Sequence, residues 1–268
     1  MKIAWATDVH LNFVDERGVA AFARVVAETG AEALLLGGDI AEAPTLEPIL
    51  RQLVRKLARP IYFVLGNHDY YRGSIADVRE IAARLTREVE ELVWLPAAGH
   101  VELGDTVLVG HGGWGDGRLG DYWNSRVQLT DHVLISELAG LDRARLLERL
   151  HALGDEAATR VREVLEGALA ARRRALLLTH VPPFEAACWH EGAISDPKWL
   201  PHFTCKAVGD VLEETMIARP DHELLVLCGH THGAGDARIL PNLHVKTAGA
   251  TYGRPRIAGV IDLETRGP

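Results

Sequence analysis

Nine residues of this chain could do chemistry together: Asp8, His10, Asp39, Asn67, His68, Asp69, His180, His230 and His232. They offer oxygen and imidazole nitrogen, and no thiol is among them. Such donors suit a hard-to-borderline divalent ion. One ion rarely needs so many ligands, whereas two ions about 3.5–4 Å apart would use them, with a carboxylate between them. A single Asp after a strand is more often a turn or cap residue, so the weight rests on the set.

The hydrophobic pattern says how the set is positioned. Short apolar runs at residues 3–6, 33–36, 61–65, 175–178 and 224–227 each precede one group of candidates. Helical periodicity over residues 19–28 and 46–57 separates the first three runs. This β-α-β-α-β order predicts a layered α/β fold, and wholly apolar strands predict burial on both faces. In open α/β sheets the ligand crevice lies beyond the carboxyl ends of the strands, so five strand ends aim at one place. Gly37, Gly38, Gly66 and Gly229 let the backbone turn sharply there. Residues 101–103 and 107–109 flank Gly104-Asp105 as a hairpin, and residues 238–240, 244–247 and 257–263 read as closing strands. Residues 112–174 begin Gly-, Trp- and Asp-rich, become helical from about 141 to 173, and read as a cap-like insertion within one domain of residues 1–268.

In order and approximate spacing, Asp8-Val9-His10, Gly38-Asp39, Gly66-Asn67-His68-Asp69, His180 and Gly229-His230-Thr231-His232 resemble the complete signature of the calcineurin-like metallophosphoesterase superfamily. The resemblance runs from Asp8 to His232. It implies a four-layer fold: two β-sheets packed together and flanked by helices. It implies that Asp8, His10 and His232 hold a first metal, Asn67, His180 and His230 a second, and that Asp39 bridges them. His68 would be a non-ligand beside the leaving group, oriented by Asp69. The activity implied is phosphoester hydrolysis by a metal-bridging hydroxide, with manganese, iron or zinc as the pair of ions. The run Asp39-Ile40-Ala41-Glu42-Ala43 and the Asp69 that follows His68 depart from the Ser/Thr protein-phosphatase branch. His180-Val181-Pro182-Pro183 looks more like bacterial phosphodiesterase-type members.

The remaining features bound the partners. The 268-residue chain has a formal net charge of -8, which argues against general nucleic-acid binding, since that affinity comes from Lys and Arg on phosphates. A small-molecule phosphoester is the expected substrate. A nuclease on the same scaffold and a non-catalytic binding scaffold are the alternatives. Three cysteines without a C-x-x-C pair suggest a reducing compartment, no apolar run is long enough to span a membrane, and no signal peptide is recognised; the reading is cytoplasmic. His111 could contact substrate or simply serve a turn. His190, His202 and His244 read as surface or loop histidines. A zinc site near Cys188 and Cys205 is a minority reading because the spacing matches no standard pattern. Arg172-Arg173-Arg174 reads as a helix end. The aromatic residues Trp114, Tyr122, Trp123, Trp189 and Trp199 either pack the overhanging segments or stack a ring-bearing substrate.

Overall fold

The computed structural model describes residues 1–264. Its strands are β1 (Lys2–Ala6), β2 (Ala33–Gly37), β3 (Ile61–Val64), β4 (Leu92–Trp94), β5 (His100–Leu103), β6 (Thr106–Gly110), β7 (Arg174–Leu178), β8 (Trp189–His190), β9 (Ala193–Ile194), β10 (Glu223–Cys228), β11 (Gly235–Leu240), β12 (Leu243–Thr247) and β13 (Gly259–Asp262). Its long helices are α1 (Glu16–Glu28), α2 (Ala43–Leu57), α3 (Ile75–Glu88), α4 (Arg143–Ala171) and α5 (Lys206–Ile217). One sheet has the order β13-β1-β2-β3-β4 and the other β11-β12-β10-β7-β6-β5. The inner strands of both are parallel, and β13, β11 and β5 pair antiparallel at the edges.

Alternation along the strands splits the side chains between two cores. Ile3, Trp5, Leu35 and Val64 of the first sheet meet Leu108, Leu176, Leu178 and Leu227 of the second. Their neighbours Ala4, Leu34, Leu36 and Phe63 face Phe22, Leu50, Leu53 and Leu85 of α1, α2 and α3. Val107, Val109, Leu177 and Val226 face Leu165, Leu169, Leu212 and Met216 of α4 and α5. The layers are therefore helix, sheet, sheet, helix, which is the expected two-sheet fold. No helix among the described residues is long and apolar enough to cross a membrane.

The segment 112–174 differs from the expected cap. Parallel neighbours such as β6 and β7 need a crossover connection, and α4 is that crossover. It packs along β5, β6 and β7 and against α5. Helical periodicity was legible; which surface the apolar face would cover was not. Residues 112–142 hold the short helix Asp131–Leu134 and are otherwise irregular, and they run over the carboxyl ends of β3 and β7 beside Asn67 and His180. If α4 is core, Leu165→Ala should lower stability by about 2–5 kcal/mol, while exposed Glu166→Ala on the same helix should stay within about 0.5 kcal/mol. Urea denaturation of the two variants checks this; equal, small effects would make α4 an appendage.

Candidate metal centre

β1, β2 and β3 of one sheet and β7 and β10 of the other end on the same side, and each continues into a tight turn. Backbone bonds join these turns: Asp8 N–H donates to Gly38 O at 3.0 Å, His10 N–H to Asp39 O at 2.9 Å, and Gly229 N–H to His180 O at 2.9 Å. Two contacts cross the seam between sheets. His230 N–H donates to the Asp8 carboxylate at 3.0 and 3.1 Å, and His180 Nδ1 donates to Gly37 O at 2.9 Å. Asp8, His10, Asp39, His230 and His232 all lie at positive φ, between 41° and 71°. That left-handed region is uncommon outside glycine and least costly for Asp, Asn and His. Two glycines are dictated by proximity. A β-carbon at Gly66 would collide with Asp39 Oδ1 and stand 2.7 Å from His180 Nε2, and one at Gly229 would collide with Asp8 Oδ2.

The sequence candidates come together as two adjoining clusters. Asp8, His10, Asp39 and His232 each present a ligand atom within 4.8 Å of the others. His10 Nε2 is 3.2 Å from His232 Nε2, and His232 Nε2 is 3.4 Å from Asp8 Oδ1. In the second cluster Asn67 Oδ1 lies 3.1 Å from His180 Nε2 and 3.0 Å from His230 Nδ1, with those nitrogens 3.2 Å apart. Asp39 Oδ1 is 3.4 Å from His180 Nε2, so Asp39 touches both groups.

The protons of the second cluster are all committed elsewhere. His180 gives its Nδ1 proton to Gly37 O, and His230 gives its Nε2 proton to His202 O at 3.1 Å. Asn67 Nδ2 donates to Asp131 Oδ1 at 2.8 Å. In the neutral tautomers these bonds select, three lone pairs converge. Acceptors this close repel one another unless a cation lies among them, so the donor set fits a divalent ion.

Electrostatics agree with that reading. Burial, reinforced by Asp8 and Asp69, raises Asp39 well above the ordinary carboxylate range. Burial lowers His10 to about 3 and His230 to about 4, so both rings are neutral near pH 7. Burial alone would lower His232 too, but its contact with Asp8 raises it.

His68 is 4.7 Å from the His10 ring and its Nε2 is 3.9 Å from Asp39 Oδ2, beside the first cluster. Burial lowers it to about 4. The expected orientation of His68 by Asp69 is corrected. Asp69 accepts from the backbone N–H of Ile40, Ala41 and Gly66 at 2.9, 2.9 and 2.8 Å and makes no bond to the His68 ring. Its work is to tie the Asp39 turn to the Asn67 turn. The His68 ring is instead stacked on Tyr71, with centroids 4.2 Å apart.

Other expectations sort out as follows. His202 is corrected: it is buried, and its carbonyl accepts from His230. It lines a small cavity with Asn67, Asp131, His132 and His180. His190 Nδ1 donates to Thr231 O at 2.9 Å, and His244 pairs with Asp236. His111 Nδ1 accepts from Gly113 N–H at 3.1 Å, a turn contact. Cys188 and Cys205 are free and buried, and no metal-capable group of cysteine and histidine forms there among the described residues. Trp114 and Tyr122 are buried packing, Trp199 stacks on Phe203, and Trp123 is exposed. Phe203 lies 5.3 Å from the His230 ring, and the exposed aromatic residues that border the donors are Phe13 and Tyr252. Tyr252 lies 4.5 Å from the His10 ring and 4.9 Å from the His232 ring, and both Phe13 and Tyr252 are about half exposed. Sequence reasoning also missed Asp131 and Tyr71. Tyr71 follows the Asn67-His68-Asp69 motif directly, a signal that was available; Asp131 sits in an unpatterned stretch that offers none.

Residues 1–234 match the profile of the calcineurin-like phosphoesterase family. Among solved structures, the phosphopantetheinyl hydrolase of Mycobacterium tuberculosis superposes with a TM-score of 0.63 at 18% identity, covering 95% of this chain and 90% of that one. A dimetal phosphatase from Danio rerio superposes at 0.54 and 14% identity, covering 93% and 87%. No curated protein sequence matches. At these identities the structural likenesses speak for the fold alone, but the profile covers every candidate ligand, and the chain belongs to the calcineurin-like phosphoesterase family, as a metal-dependent phosphoester hydrolase.

Proposed function

We propose that this chain hydrolyses small-molecule phosphoesters, as a phosphatase or phosphodiesterase, with two divalent ions bound at the strand ends. Asp8, His10 and His232 hold one ion, Asn67, His180 and His230 the other, and Asp39 serves both. The observation that carries this reading is the convergence of Asn67 Oδ1, His180 Nε2 and His230 Nδ1 within 3.2 Å of one another, beside a second donor cluster that shares Asp39. Manganese, iron and zinc all suit these donors. When bound, such a pair polarises phosphoryl oxygens and lowers the pKa of water towards neutrality.

The chain's own residues do the rest. Asp8 and Asp39 contribute two negative charges against four positive, so the loaded site attracts a phosphate. His68 is neutral near pH 7 and keeps one ring N–H, which it can hold towards the leaving oxygen as charge develops there. Stacking on Tyr71 fixes the ring in that attitude. The negative balance of the chain favours a small ester over nucleic acid. Three free, buried cysteines support a reducing, cytoplasmic setting.

Asp39→Asn should abolish turnover and lower metal content, because the amide loses the charge that both ions share. Elemental analysis of the purified variant measures this, and two tightly held ions with full activity would sink the bridge. His68→Ala should keep both ions and lose about 10²–10⁴-fold in turnover. The loss should shrink for nitrophenyl esters, whose leaving groups need no proton; loss of metal would make His68 a ligand instead. With Mn²⁺ supplied, a nitrophenyl diester and nucleotides should be hydrolysed while linear duplex DNA is left largely intact. Efficient duplex cleavage with poor small-ester turnover would promote a nuclease, and no turnover of any substrate a binding scaffold.

A further inference from the structure

We propose that Asp131 is a positioning residue that fixes the amide of Asn67 with its carbonyl towards the metal site. The proposal rests on the two-ion reading above. The two ends of an Asn amide have nearly the same size, and a half-turn about its last bond exchanges them. In the observed orientation Oδ1 faces His180 Nε2 and His230 Nδ1. In the exchanged orientation the amide nitrogen would face those imidazole lone pairs and donate a proton to each. That arrangement satisfies every hydrogen bond locally and offers no oxygen to an ion. The site thus has a metal-excluding alternative built from the same atoms.

Asp131 decides between the two. Its Oδ1 accepts from Asn67 Nδ2 at 2.8 Å, and the second Asn67 N–H reaches Tyr71 Oη at 3.3 Å. Tyr71 donates its own hydroxyl proton to Asp131 Oδ1 at 2.7 Å. In the exchanged orientation Asn67 Oδ1 would stand against this carboxylate, acceptor to acceptor, in a buried place. Asp131 is 3% exposed, so water could not relieve the clash, and such a pairing is costly. Both bonds end on the same Asp131 oxygen as acceptor, and an acceptor at that place is what the discrimination requires.

The turn that carries Asp131, residues Asp131–Leu134, is pinned beside Tyr71. Arg72 N–H donates to Leu134 O at 2.9 Å and Ser136 N–H donates to Gly73 O at 3.1 Å. The irregular segment 112–142 therefore reaches down to the metal site through one carboxylate. Through Tyr71, that carboxylate also touches the residue on which His68 stacks.

The test is a chelator titration of full-length, Mn²⁺-loaded protein, following release of each ion. Asp131→Asn is isosteric and able to donate or accept, so it no longer discriminates. One of the two ions should be released about 10–100-fold more easily, as for other residues that orient ligands, while the other is held as in wild type. The exchange Asn67→Asp with Asp131→Asn keeps the same atoms and net charge and restores a one-way bond, so it should recover the weakened ion. Far-UV circular dichroism of each variant confirms folding. Wild-type retention of both ions in Asp131→Asn would overturn the proposal. So would equal weakening of both ions, which reports lost charge and not lost orientation, or failure of the exchanged pair to recover. A wild-type protein that holds fewer than two ions would overturn the two-ion reading itself, a result distinguishable from the others before any variant is made.

Discussion

The structure turns on two buried carboxylates at one site. Asp8 and Asp39 are 2% and 1% exposed and lie on neighbouring strand ends. A desolvated anion is expensive, and two in one site more so. Hydrogen bonds from Thr7 Oγ1, His230 N–H and His68 N–H meet part of that cost. Against the effect of burial, His180, His232 and His10 hold Asp8 below the ordinary carboxylate range, while burial beside Asp8 and Asp69 leaves Asp39 well above it. A cation among these donors would offset the charge of both carboxylates. The same demand explains the backbone: five of the seven candidate ligands sit in the left-handed region, where strain is of order 1–3 kcal/mol per residue. Only a scaffold with stability to spare keeps such turns.

The two sheets supply that scaffold. Each inner strand is apolar on both faces because a helical layer covers one side and the opposite sheet the other. That removes polar side chains from the strands and leaves them for the strand ends. Parallel strands place those ends on one side, so each turn contributes to the same cavity. The cavity is a seam and not a pocket in one sheet, since Asp8, Asp39 and Asn67 come from one sheet while His180, His230 and His232 come from the other. Contacts across the seam, His180 to Gly37 and His230 to Asp8, make sheet packing and site geometry one problem. A small shift between sheets would separate the donors, and Gly66 and Gly229 permit the close approach that prevents it.

What was legible in the sequence follows from this arrangement. Apolar runs ending in Asp, Asn or His are local signals, and they led to the strand ends and to all the candidate ligands. What was not legible depended on contacts between distant segments. The periodicity of α4 showed an apolar face but not the surface beneath it, so a crossover helix read as a cap. Asp69 stands next to His68 in sequence, yet its carboxylate turns towards three backbone N–H groups and leaves the ring to Tyr71. Trp114 and Tyr122 looked available for stacking because a sequence does not show burial. Phe13 and Tyr252, which border the donors, lie in stretches with no motif. Asp131 is 64 residues from Asn67, and nothing in its neighbourhood marks it.

These contacts make the two flanks of the site unlike. On the Asn67 flank, the segment 112–142 packs down with Trp114, Tyr122 and Asp131 all nearly buried. Asp131 and Tyr71 there are hydrogen-bonded to the Asn67 side chain and to each other. On the His10 and His232 flank, the loop after β12 carries Tyr252 to the donors, and Tyr252 and Phe13 keep half their surface in solvent. Large aromatic side chains left half exposed beside a charged site are not there for the core. They make the second flank the open one. His68, between Tyr71 on one side and Tyr252 Oη at 3.5 Å on the other, stands on the boundary between the closed flank and the open one. Its ring is thus backed by the fold on the Tyr71 side, and its side chain is 17% exposed.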